Sequence, residues 1–74
     1  MSGLPVVSGR DLVRVLQRLG YRLDRQRGSH IVLRQEAAPH RRAVVPDHRE
    51  VAKGTLRAIL REAGLTADEL RSLL

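Results

Sequence analysis

The stretch "RQRGSHIVLR", residues 25–34, sets an imidazole directly after a glycine and a serine and surrounds it with guanidinium groups. A free imidazole has a pKa of about 6.5, so it gives or takes a proton near neutrality, which makes His30 a candidate general acid or base. Arg25, Arg27 and Arg34 carry planar forks that grip a phosphate at two points, and Gly28 lets another backbone come close. A surface histidine after a turn is more often inert than catalytic, so "GSH" alone decides nothing. His40 lies in the polar run "QEAAPHRR" and His48 follows Pro46. No acidic cluster or helical spacing joins the three histidines, and the chain has no cysteine to supply thiolates. The expectation is therefore a site with no metal and no cofactor.

Three helices and three strands have to position these groups. In "SGRDLVRVLQRLG", Leu12, Val15, Leu16 and Leu19 recur at i, i+3, i+4, i+7, which predicts a first helix. Ser8 is its cap, Asp11 stands in a capping-box-like position and Gly20 ends it. Arg10, Arg14 and Arg18 form a stripe on the other face, read as solvated surface rather than a phosphate site. From Tyr21 the period drops to two, giving a strand with Tyr21 and Leu23 inward and a second with Ile31 and Leu33 inward. Matching those inward sets requires an odd number of loop residues. Gln26-Arg27-Gly28 is the expected loop, with Gly28 at positive φ in a turn plus bulge. His30 then points away from the core, and the same register sets Asp24 across the hairpin, where it would orient the ring and favour its protonated form.

"RAVVP" predicts a third strand, stopped by Pro46, with Ala43 and Val45 inward and Val44 sharing the outer face with Val32 and His30. "KGTLRAILREAG" predicts a strong helix ended by Gly64, and Thr66 with Glu69 a second capping box opening a short terminal helix. Leu70, Leu73 and Leu74 of that helix need a surface, either their own core or a partner. The fold class is α+β, a three-stranded antiparallel sheet covered on one face by helices.

The chain has 74 residues, enough for a single domain over 1–74 that buries only about 60% of its unfolded surface. One tyrosine and no phenylalanine or tryptophan leave leucine, isoleucine, valine and alanine to build the core. The absence of cysteine excludes a disulfide framework, and the apolar runs are too short to span a membrane. "MSGLPVVSGR" has no signal-peptide pattern, so the expected location is cytoplasmic. Fourteen basic residues against eight acidic ones give a net charge of +6, which points to a polyanion as partner. One tyrosine and no phenylalanine or tryptophan speak against base stacking, so binding is expected to rely on phosphates and shape.

Taken together, "SGRDLVRVLQRLGY", "RQRGSHIVLR", "VVP" with His48 two residues on, and "KGTLRAILREAGL" resemble the HicA (YcfA-like) toxins of bacterial type II toxin–antitoxin modules. The resemblance covers nearly the whole chain, and "RQxGSH" followed by apolar residues is its specific part. It implies a fold like that of double-stranded-RNA-binding domains, α-β-β-β-α with a short C-terminal helix. It also implies a ribonuclease, an mRNA interferase, whose catalytic residue is His30. Arg25, Arg27, Gly28, Ser29, Arg34 and His48 become the candidate RNA contacts, His48 either touching RNA or organising the loop into the last helix. The implied partners are mRNA and a HicB-type antitoxin. The loop "QEAAPHRR" and Asp24 depart from the family pattern. A non-catalytic RNA- or DNA-binding module using the same surface is the alternative.

Overall fold

The computed structural model describes residues 3–74, in the order α1 (Gly9–Arg18), β1 (Tyr21–Arg27), β2 (His30–Gln35), β3 (Arg42–Pro46), α2 (Lys53–Ala63) and α3 (Ala67–Leu73). The strands form one antiparallel sheet ordered β1-β2-β3. The architecture is the expected α+β fold, consistent with a double-stranded-RNA-binding-domain-like arrangement.

The helix ends follow their sequence signals. The Ser8 hydroxyl accepts the Asp11 N–H at 3.0 Å, but the reciprocal half of the box is absent. The Asp11 carboxylate instead accepts from Arg14 at 3.3 Å. Gly64 closes α2 at φ 70. At α3 both halves are present: Glu69 N–H donates to the Thr66 hydroxyl at 3.1 Å, and Thr66 N–H to the Glu69 carboxylate at 2.8 Å. No helix among the described residues is long and apolar enough to cross a membrane.

The core gathers Leu12, Val15 and Leu16 of α1 with Leu56, Ile59 and Leu60 of α2. Tyr21, Ile31, Leu33, Ala43 and Val45 of the sheet, Leu70 of α3, and Val7 and Val51 of the connecting segments complete it. Leu70 is fully buried, so the terminal helix uses its own core as its surface. Arg18 and Arg71 tie it down, donating to the Leu73 carbonyl at 3.1 Å and the Gly3 carbonyl at 2.6 Å. The arginine stripe of α1 is thereby accounted for, since Arg10 and Arg14 also hold carboxylates of this chain.

The hairpin differs from expectation in one instructive way. Strand β1 runs on through Arg27, and the loop is the two-residue Gly28-Ser29, with Arg27 paired to His30. Gly28 takes φ 58 in the first central position and Ser29 stays out of the left-handed region, the pattern of a II′ turn. The odd residue demanded by the hydrophobic alternation is placed inside the strand. The register runs Leu23↔Leu33, then skips Asp24 to Arg25↔Val32, a bulge. Two corrections follow. Gln26-Arg27-Gly28 is not the loop, and Asp24, the bulged residue, does not lie across from His30. Leu23 faces the helix side as expected but stays 55% exposed at the sheet edge, while Tyr21 is buried.

Tyr21 is the chain's one tyrosine, with no phenylalanine or tryptophan beside it. Burial raises its phenol above the ordinary 10.0, with Arg41 opposing and Glu62 adding to the rise. The folded state prefers the neutral phenol, so this contribution is whole below pH 10 and is lost as pH climbs through the higher folded value. An alkaline titration followed by ultraviolet absorbance should find the native ring ionising later than the denatured chain; coincident curves would contradict the burial.

Candidate functional site

Alternation assigns each sheet residue to a face, and cross-strand pairing shows which outward residues meet. On the face away from the core, β1 presents Arg22, Arg25 and Arg27. Strand β2 presents His30, Val32 and Arg34, and β3 presents Arg42, Val44 and Pro46. The pairs across the sheet are Arg27↔His30↔Pro46, Arg25↔Val32↔Val44 and Arg22↔Arg34↔Arg42. His30 is thus the only imidazole in the strands, flanked by an arginine on one side and a proline on the other.

Val32 is buried to 3% although it stands outside the helix-covered core. With half-buried Val44 it makes a small apolar floor, as the alternation in "RAVVP" predicts. Around that floor the charge is one-sided. Among the described residues Arg25, Arg27 and Arg42 have no ion-pair partner. Arg22 pairs with Glu36 at 3.2 Å, and Arg34 leans on the His40 carbonyl at 3.4 Å. Of the expected RNA contacts, Arg25, Arg27 and Arg34 therefore share the face of His30, and Gly28 and Ser29 form the turn beside it.

His30 is exposed, and its ring makes no hydrogen bond within the described residues. What fixes it is backbone. The Asp47 N–H donates to the Ser29 carbonyl at 2.6 Å, locking the turn onto the end of β3. The Asp47 carboxylate then accepts from Gln26 Nε2 at 3.1 Å and from both Nε and Nη2 of Arg10, at 3.2 and 3.3 Å. Gln26 Nε2 also donates to the Gly28 carbonyl at 3.1 Å. Turn, strand end and α1 form one frame around a ring that is itself left free.

The other histidines are elsewhere. His48 is exposed, and its carbonyl accepts the Gly9 N–H at 2.9 Å, so its backbone organises the segment leading to α2. His40 takes φ 59 in the β2–β3 loop, where Nδ1–H donates to the Gln35 carbonyl at 3.2 Å. Among the described residues no three His, Cys, Asp or Glu side chains are grouped as metal ligands.

Sequence reasoning missed Arg22 and Arg42 as members of this face. The signal was present, because alternation that turns Val44 outward turns Arg42 outward as well. It also missed the Asp47–Gln26–Arg10 frame, which no local pattern announces, since its members are 37 and 21 positions apart.

A free imidazole beside unpaired guanidinium groups on an open, rigid sheet can exchange protons next to a bound phosphodiester. No curated protein matches the chain. The family described as "HicA toxin of bacterial toxin-antitoxin" matches residues 9–65, from the first residue of α1 to just past α2, and so takes in the whole histidine face. By that match over most of its length, the chain belongs to the HicA toxin family.

Proposed function

We propose that this toxin is an endoribonuclease, an mRNA interferase that cuts messenger RNA through His30 without a metal ion and is held inactive by a HicB-type antitoxin. The observation that carries the reading is the free ring of His30 opposite Arg27, on a face that also presents Arg25 and Arg42 unpaired. Imidazole takes the proton of the 2′-hydroxyl, the 2′-oxygen attacks phosphorus and the bond to the 5′-oxygen breaks. Water at the open face protonates the leaving oxygen. The products are a 2′,3′-cyclic phosphate and a 5′-hydroxyl end. Arg25 and Arg27 neutralise the charge that builds on the phosphoryl oxygens, aided by Arg34. Gly28 and Ser29 leave room for the RNA backbone, and His48 serves the frame. An antitoxin with an acidic surface would silence the enzyme by covering this face.

The test is incubation of RNA with the protein in excess EDTA, followed by analysis of the ends. Cyclic phosphate ends are expected; RNA left intact at every protein concentration would leave a binding module only. Binding should weaken steeply with salt. Three to five phosphate contacts to a single strand predict a log–log slope of roughly −2 to −3.5, and Arg27→Ala should flatten it by about 0.7. An unchanged slope would remove Arg27 from the interface.

A further inference from the structure

Beside the histidine face, α2 packs against β3 and a groove of about 600 Å³ opens between them. Val44 and the buried Ile59 form its apolar floor, Gly54, Thr55 and Ala58 its helical wall, and Arg42 and Glu62 supply its charges. Its size falls within the about 300–1,000 Å³ of small-molecule sites. Two of its residues, Val44 and Arg42, belong to the outward face described above. Val44 is two residues along β3 from Pro46, the partner of His30, so it stands diagonal to His30 at about 7–8 Å. That is close to the reach of one nucleotide.

We infer that this groove is a base-recognition subsite that takes a guanine one nucleotide from the cut bond; the inference rests on the ribonuclease reading above. Three features match that occupant. An apolar floor suits a base, and none of the groove's lining residues is aromatic, so the guanidinium plane of Arg42 is the stacking partner there. Glu62 is exposed and has no ion-pair partner among the described residues. A carboxylate only accepts hydrogen bonds. Guanine alone among the four bases offers two adjacent donors, N1–H and N2–H, on its Watson–Crick edge, which fits a carboxylate with two bonds. Adenine and cytosine present one donor beside an acceptor, and uracil one donor between two acceptors, so each leaves a lone pair facing Glu62.

The experiment maps cuts made in an RNA pool of random sequence by the wild type, Glu62→Gln and Ala58→Leu. Both positions are exposed on α2, and both replacements are good helix formers. The wild type should favour guanine next to the cut by about tenfold or more, in line with a good bidentate pair. In Glu62→Gln the amide places a donor against a donor, and the preference should vanish while cutting elsewhere in the pool continues. Ala58→Leu narrows the groove and should raise KM without altering kcat. Identical cut maps for all three proteins would overturn the subsite and leave the nuclease standing. A parallel binding series, using short oligonucleotides with and without guanine, separates the two readings. If no RNA is cut, a guanine preference lost in Glu62→Gln still supports the groove, and equal affinities overturn it.

Discussion

Replacing His30 with alanine should reduce RNA cleavage by about 10²- to 10⁴-fold, the usual share of general acid–base catalysis, while leaving fold and RNA binding in place. The separation follows from the geometry. The ring is exposed and bonds to nothing in the described chain, so its removal opens no cavity and orphans no partner. Surface changes of that kind stay within about 0.5 kcal/mol. The turn is held by the Ser29 carbonyl and by Gln26 on the Gly28 carbonyl, contacts of the backbone that alanine keeps. The guanidinium groups that would grip the phosphates belong to β1, β2 and β3 and do not depend on the ring. Cleavage, thermal unfolding and filter binding measured on the same preparation decide it. Loss of binding with a native melting curve would make His30 a contact and not a catalyst; undiminished cleavage would move the chemistry elsewhere.

The elements themselves were legible because each carries its signal locally. Ser8, Gly20, Gly64 and the Thr66–Glu69 pair mark helix ends through atoms three or four residues apart, and the apolar spacing does the rest. The outward direction of His30 was legible for a related reason: alternation fixes parity, and parity fixes the face. Parity does not say where the odd residue sits. A three-residue loop and a bulge satisfy the same pattern, and the choice of Asp24 as the bulge depends on how the whole of β1 pairs with β2. That choice removed the supposed Asp24 partner of His30 and set Arg27 opposite it. Long-range contacts were illegible altogether. Nothing near Asp47 in the chain announces that its carboxylate holds Arg10 of α1 and Gln26 of β1.

The most damaging single methyl group in the molecule should be the one added by Gly9→Ala. Gly9 is the first residue of α1, buried, and it takes no unusual φ, so conformational freedom is not the reason for glycine there. The reason is contact. A Cβ at this position would lie 2.0 Å from the Pro46 carbonyl oxygen and 3.1 Å from the Asp47 Cα, both backbone atoms that cannot swing aside. Relief requires moving α1 away from the end of β3, which stretches the Gly9 N–H bond to the His48 carbonyl and the Arg10 grip on Asp47. Overpacking of this kind costs about 1–3 kcal/mol and sometimes more, and a backbone clash belongs at the upper end. At roughly 0.05–0.15 kcal/mol per residue, a domain of this size holds only about 4–11 kcal/mol in total. A fall in Tm of more than about 10 °C is therefore expected in a calorimetric scan. The strain is released where Pro46 faces His30 and Asp47 holds the Ser29 carbonyl, so the protein that remains folded should also cut RNA more slowly than its melting curve alone explains. Serine at the same position carries the same Cβ and should fail alike, whereas a surface glycine such as Gly54, with nothing within 4 Å of its added carbon, should accept alanine and gain helix propensity. A Gly9→Ala protein that melts with the wild type would show that α1 and β3 do not meet this closely, and with that the rigid frame behind the histidine face would be lost.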